Sequence, residues 1–524
     1  MVFMLAHPEW DASIVRPANP PSRVLSMQKL ILTAVVCMLP VLACAGIEAG
    51  FAERDITPEL GMEVPGGYGK SYSKRIHDPC KVRAVVFGDG KERVALVGLD
   101  AIGVARSIVL EARAKIVERC GIEPKAVLVC ASHSHSSGPI GMVMPEDFDQ
   151  ASDFVKDLAF NKSTVANPAY VKRVTEAIVD AVVEADKLRS QGTVSFGKGR
   201  EDTVGFNRRI RMKNGLSFSH PGKGNPDNVE FAGPTDPEVG VIGFWSPEGK
   251  LNGCVVNFSC HGTANGPWIS ANWIYYMEKA IQGFYGPDTK VVFLQGACGD
   301  VTQVNNLDPH ANPDGDAWSQ LVGGRVGAEA VKVLLGMSQT RVTEVPVAAL
   351  QKIWSIPRRV PSPEHVAAAF ALAKQDPKNA GPDWVWAKET VLLEALIAKT
   401  PRVEVEVQAI QVGPVVCISD PAEYFCQYGL DLKAGSGFPL TFPCELSNGC
   451  AGYVPTEEAF GPHGGGYETR LTGYSNLEIT AGRQFRDVGL ELARQLKPSK
   501  LPEPPLAPPA RQGWTYGSQP PQLN

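Results

Sequence analysis

The stretch Val127-Leu128-Val129-Cys130-Ala131-Ser132-His133-Ser134-His135-Ser136-Ser137-Gly138-Pro139 is an apolar run of strand length that stops at two histidines. On extended chain, residues two apart point to the same side, so both imidazoles are expected to reach one point in space. Neutral imidazole is a common zinc ligand and the usual general acid or base near neutral pH. The Ser136-Ser137-Gly138-Pro139 that follows cannot continue a strand and lets the backbone turn tightly. Alone, an H-x-H pair is equally at home on a surface loop. Three other strands of this chain end in polar residues of the same kind, and that repetition favours a shared site.

Upstream, residues 82–87 and 93–98 alternate around Gly88-Asp89-Gly90-Lys91, which predicts a β-hairpin. Its second strand closes on Leu99-Asp100, a carboxylate at a strand terminus. Residues 107–120 read as an amphipathic helix leading into the opening strand. Strand–helix–strand order makes the fold class α/β, a layered mixed sheet with flanking helices.

Downstream, residues 253–260 form a buried strand by composition and run into His261-Gly262-Thr263. A helix is expected at 271–283, followed by a strand at 290–295. That strand ends in Gly296-Ala297-Cys298-Gly299-Asp300-Val301-Thr302, where glycines admit close backbone approach. Residues 415–418 are a fourth buried strand, ending in Ser419-Asp420-Pro421-Ala422-Glu423. Ser419 or Asp420 can cap a helix whose first turn holds Pro421 and Glu423, so Glu423 is either a capping carboxylate or a site residue. Gly205-Phe206-Asn207-Arg208-Arg209 leaves one arginine free to enter a cleft, although adjacent arginines usually face solvent. Gly452-Tyr453-Val454-Pro455-Thr456 and Gly464-Gly465-Gly466-Tyr467-Glu468-Thr469 complete the polar set. Further helices are expected at 167–185, 317–335 and 479–496, further strands at 193–196 and 403–412, and a largely helical stretch around one strand at 343–399. Trp384 and Trp386 read as packing residues. No internal repeat is visible.

The net charge of -5, a pI near 6.1 and the lack of a basic cluster argue against a nucleic-acid partner. Residues 1–26 have no apolar periodicity and read as an upstream extension, with Met27 the better start. Residues 27–45 have the short basic start, the apolar run and the Ala43-Cys44-Ala45 ending of a signal peptide. Export to the periplasm or beyond is therefore expected, with lipoprotein anchoring at Cys44 and an apolar core helix as the alternatives. Cys444 and Cys450 are close enough in sequence to close a small disulfide loop. Cys130, Cys254, Cys260, Cys298 and Cys417 lie in apolar runs and read as buried thiols. No C-x-x-C pair exists to make a thiolate zinc site. Residues 498–524 are Pro-rich and read as a disordered tail.

Ligands of open α/β sheets gather at the carboxyl ends of strands, which here supply histidines, a Gly-Asp-Val-Thr turn and a glutamate. At this point the chain resembles the neutral/alkaline non-lysosomal ceramidase family, specifically its N-terminal catalytic domain. The resemblance is carried by Asp55-Ile56-Thr57-Pro58, His77, residues 132–139, Asn207-Arg208, His261, Gly299-Asp300-Val301-Thr302, Pro421-Ala422-Glu423, and residues 452–456 with Tyr467. It makes residues 47–497 a ceramidase-like catalytic domain with a metal site at the carboxyl ends of strands. It implies a zinc amidohydrolase whose metal-activated water cleaves the amide of N-acyl sphingosine or another N-acyl lipid. Carried over, the metal ligands are His133, His261, Glu423 and Tyr453. The catalytic residues are His135 as proton shuttle, Arg208 and Tyr467 on the substrate oxygen, and Thr302.

The chain departs from that family in four places. Thr302 stands where the ceramidases have serine, and Tyr467 sits at a slightly different spacing from Tyr453. Asn272 stands where aspartate is expected, and the C-terminal immunoglobulin-like domain has no counterpart. The partner expected is a small-molecule or lipid substrate, with membrane contact only peripheral and no oligomeric state implied. A second site, for Mg2+ or Ca2+, is open near Asp100. Two alternatives share the fold: the same metal site acting on an ester or glycan, and a catalytically silent binding protein.

Overall fold

The computed structural model describes residues 46–141, 143–264, 268–509 and 513–524. The expected upstream extension, the signal segment and Cys44 lie outside the described residues.

Among the described residues, three sheets of four or five strands carry the fold. In the first, Glu48–Asp55, Lys81–Gly88 and Arg93–Leu99 run antiparallel, and Val127–Ala131 joins parallel to the third. In the second, Thr193–Arg200, Glu238–Trp245 and Leu251–Phe258 run antiparallel, and Lys290–Gln295 joins parallel to the last. In the third, Val347–Pro357, Arg402–Val412 and Val415–Ser419 run antiparallel, and Leu440–Cys444 joins parallel. A parallel neighbour needs a long crossover. Each crossover contains a helix: Arg106–Cys120, Trp273–Tyr285 and Cys426–Gly435 respectively. The plan hairpin–helix–parallel strand therefore occurs three times, although no repeat of residues betrays it in the sequence.

The sheets are buried on both faces, and strand period explains how one strand serves two cores. On Glu238–Trp245, Ile242 and Phe244 enter the central core, while Val239, Val241 and Trp245 enter a second. On Lys290–Gln295, Val292 and Leu294 face the first of these and Val291 and Phe293 the other. Val415 and Cys417 face the central core, whereas Val416 and Ile418 face a third. The helix Pro168–Lys187 covers the first sheet, Gly315–Gly336 the second and Ala481–Gln495 the third. Asn167 caps its helix by accepting the Tyr170 N–H, as its place before Pro168 predicts. The mixed α/β class read from the sequence holds. No helix among the described residues is long and apolar enough to cross a membrane.

Two local expectations are corrected, on the helix at Pro421 and the Cys444–Cys450 loop, and Asp100 is found in an ion pair. The helix expected to open around Pro421 begins at Cys426, and Glu423 lies in a short strand instead. Tertiary pairing overrides the local capping pattern there: Glu423-Tyr424 pairs in parallel with Tyr453-Val454, and Asp420 accepts the Ala422 N–H in a tight turn. Cys444 and Cys450 are both free thiols. Cys444 is buried on its strand and donates to the Phe442 carbonyl, whereas Cys450 sits 3.5 Å from the Tyr474 hydroxyl. Asp100, considered for a second ion, is committed through Oδ2 to the Arg83 guanidinium at 2.7 Å and the Lys81 N–H at 2.8 Å.

Candidate metal centre

His133 and His135 converge, but not through strand pleat. The strand ends at Ala131, and His133 takes a left-handed conformation with φ 58°. Such a backbone is rare for a residue with a Cβ and persists only where its surroundings hold it. Here Ser134 N–H donates to the Ala101 carbonyl at 3.1 Å and His135 N–H to the Gly262 carbonyl at 3.0 Å. Gly262 is required at that crossing, since a Cβ on it would lie 2.7 Å from the His133 carbonyl oxygen. Gly66, at φ 120°, is equally constrained, because a Cβ there would lie 2.6 Å from His135 Nδ1.

Each imidazole is anchored through Nδ1 on a backbone carbonyl. His133 meets Ile102 O at 2.7 Å, His135 meets Gly66 O at 3.1 Å, and His261 meets Val301 O at 3.1 Å. A carbonyl only accepts, so each neutral ring carries its hydrogen on Nδ1 and presents a bare lone pair at Nε2. Those lone pairs converge. Nε2 of His133 and His135 are 3.1 Å apart, and Glu423 Oε2 lies 3.2 Å from His133 Nε2 and 3.1 Å from His261 Nε2. Glu423 Oε2 is itself buried, and among the described residues it has no hydrogen-bond donor.

Burial, with the other two imidazoles, lowers the His135 pKa well below its ordinary value. Burial and the nearby Arg208 charge take His261 down to about 3. Burial opposes ionisation of Glu423, yet His133 and His261 hold its carboxyl well below the usual range. Buried imidazole and carboxylate atoms gathered this closely are costly unless a proton or a metal cation joins them. The set His133, His135 and His261 can thus hold a metal ion.

The remaining expected residues surround this point unequally. Arg208, 2% exposed, donates from its guanidinium to His261 Nε2 at 3.0 Å, to Glu468 Oε1 at 2.8 Å and to the Gly299 carbonyl at 2.7 Å. It lies over the rings of Tyr453 and Tyr467. The hydroxyls of those two tyrosines are 3.2 Å apart, and burial pushes both phenols up, so they stay protonated. A cavity of about 290 Å3 opens onto His133, His135, Glu423, Tyr453 and Tyr467. Thr302 is buried but is not among the residues lining that cavity; its hydroxyl accepts the Val304 N–H at 3.2 Å. Asn272 caps the Trp273–Tyr285 helix by accepting the Trp273 N–H.

Sequence reasoning missed several residues. Tyr474 donates to Glu423 Oε1 at 2.7 Å. Glu468, fully buried, accepts from Arg208 and from Ser219 Oγ. Tyr68 lines the cavity from the Gly-rich loop, and that composition was the one available signal. Trp386, expected only to pack, also lines the cavity and meets the Tyr68 ring edge-on at 5.2 Å.

No family model matches the chain. Over 339 residues it is 25% identical to the neutral ceramidase of Pseudomonas aeruginosa, an alignment covering 60% of this chain and 46% of that protein. The crystal structure of that organism's neutral ceramidase superposes with a TM-score of 0.64 at 18% identity, covering 88% of this chain and 76% of the other. The chain is neutral-ceramidase-like in sequence and fold. A ceramidase complexed with C2 gives a TM-score of 0.63 at 17% identity, over 88% of this chain and 77% of that one. The chain spans about half the length of the curated ceramidase it matches.

Proposed function

We propose that this ceramidase-like chain is a zinc-dependent hydrolase that cleaves the amide bond of an N-acyl lipid. The observation that carries the reading is the convergence of three imidazole Nε2 atoms and Glu423 Oε2. Zinc takes nitrogen and oxygen ligands at about 2.0–2.2 Å, which sets neighbouring ligand atoms of a tetrahedron about 3.3–3.6 Å apart. The observed separations of 3.1 and 3.2 Å are close to that. The ceramidase names of the relatives supply the amide as the bond. Export rests on the signal-like residues 27–45 alone.

In this reading His133, His261, Glu423 and Tyr453 would hold the ion, which when bound would supply Lewis acidity at neutral pH. His135, kept neutral by burial and its neighbours, accepts a proton at Nε2 and returns it to the departing amine. The protonated Tyr467 lines the cavity and, with the Arg208 guanidinium that lies over its ring, stabilises charge developing on the amide oxygen. Tyr68, Trp386 and Tyr474 wall the cavity and exclude water. Thr302 acts through the turn it belongs to, since Val301 O holds His261 Nδ1.

A second reading is favoured by the 3.1 Å separation of the His133 and His135 Nε2 atoms: His135 is itself a ligand. The test is zinc content with hydrolysis of an N-acyl amide panel, before and after chelation. Stoichiometric zinc and chelator-sensitive amide cleavage support the proposal. Cleavage of esters or glycosides alone, or zinc without turnover, refutes it.

A further inference from the structure

We infer that a second cavity, adjoining the metal cavity, receives one half of the substrate, and that this half is hydroxyl-rich rather than a long hydrocarbon chain. The inference rests on the hydrolase reading above and specifies its substrate. The second cavity has a volume of about 370 Å3, within the span of about 300–1,000 Å3 typical of small-molecule sites. Gly67, Tyr68 and Tyr474 line both cavities, so the two meet there. A molecule with its amide at the imidazoles has this space beside it.

The lining is amphipathic. Val143, Phe148, Leu392 and Leu396 belong to one hydrophobic cluster. The other side chains that matter carry charge. Arg106 pairs with Glu404 at 2.8 Å and Glu406 at 2.7 Å, and Arg113 also pairs with Glu406. Those groups satisfy one another. Arg358 and Asp147 differ: among the described residues neither has an opposite charge at ion-pair distance. Arg358 donates to the Thr400 carbonyl and the Asn476 side-chain oxygen, and Asp147 accepts the Met144 N–H. Both line the cavity and are partly open to water.

A hydrocarbon chain drawn across these two groups strips their water and returns nothing, which is costly for charged side chains. A hydroxyl both donates and accepts, so a polyol segment satisfies Asp147 and Arg358 together while its carbon skeleton lies on Leu392 and Leu396. The predicted substrate class is an amide joining an alkyl segment to a polyhydroxylated one.

Three amides separate the outcomes: N-octanoyl-glucamine, N-octyl gluconamide and N-octyl octanamide. The first two place the polyol on opposite sides of the bond; the third has none. At least one polyol amide is expected to exceed N-octyl octanamide in kcat/KM by about tenfold or more, through KM. Asp147→Asn and Arg358→Met are each expected to shrink that preference to within about threefold, with zinc content retained. Equal or better turnover of N-octyl octanamide overturns the inference, as does a preference that survives both substitutions. If no amide is cleaved, the hydrolase reading fails and the cavity is judged by calorimetric titration of N-octyl gluconamide. Binding weakened by Asp147→Asn sustains the polyol site; absent or unaltered binding refutes it.

Discussion

The hydroxyl of Tyr474 donates to Oε1 of Glu423 at 2.7 Å, leaving Oε2 to face the imidazoles of His133 and His261. One carboxylate thus has an oxygen oriented by a phenol and an oxygen turned into the candidate metal centre. Burial and the nearby Cys450 and Glu423 push the Tyr474 phenol well up, so it remains a donor. Partners of this kind fix the orientation of metal ligands.

Tyr474→Phe is therefore expected to weaken metal binding by about 10–100-fold while leaving the fold intact. Competition with a graded chelator measures it. Unchanged affinity shows that Glu423 is oriented by its backbone alone.

Glu445 joins two segments behind the site. Its Oε2 accepts the N–H groups of Cys298 and Tyr424, both at 2.9 Å, and its Oε1 accepts from Cys298 Sγ at 2.9 Å. Burial and the neighbouring carboxylates of Asp420 and Glu423 push this carboxyl well up, which favours its neutral form. Glu445→Gln keeps an acceptor for both N–H groups and is expected to preserve stability. Glu445→Leu orphans them and is expected to cost about 1–3 kcal/mol for each buried donor left unpaired. Denaturant titration distinguishes the two, and a glutamine variant as damaged as the leucine variant shows that an ionised carboxylate is needed.

Glu278 accepts from Arg83 at 2.7 Å and pairs with Lys81 at 3.0 Å, all but buried. Burial opposes its charge, but Arg83 and Lys81 hold its pKa at about 2, against an ordinary 4.5. A depressed carboxylate contributes stability above its unfolded pKa and loses it as pH falls toward its folded value. Glu278→Gln is expected to cost about 1–3 kcal/mol at neutral pH, because Arg83 keeps Asp100 but loses its second carboxylate. The deficit should narrow between about pH 4.5 and about pH 2. Melting temperatures of both proteins across that window check the sign, and a deficit that widens on acidification contradicts it.

The sequence made some of this legible and hid the rest for physical reasons. His133, His135 and His261 stand where apolar strands stop, and that transition is local enough to read. Glu423 was placed near the site, but in the wrong element. Its Ser-Asp-Pro-Ala-Glu context suits a helix start, and only pairing with Tyr453-Val454, thirty residues on, makes it a strand. Tyr474, Glu468 and Glu445 gave no signal because their partners lie far away in the chain: Arg208 meets Glu468 across 260 residues. The threefold hairpin–helix–strand plan was equally hidden, since burial pattern repeats without repeating residues. Trp386 looked like packing and does pack, on Tyr68, at the edge of the cavity.

A metal centre built on His133, His261 and Glu423 is tested by metal analysis of the purified protein and three variants. About one zinc is expected per wild-type chain and well under half an equivalent in His133→Ala and His261→Ala. His135→Ala is expected to keep zinc and lose turnover. Equal loss of metal from His133→Ala and His135→Ala makes His135 a ligand and removes it as the proton shuttle. Less than about half an equivalent of metal in the wild type, unchanged by His133→Ala, contradicts the account outright.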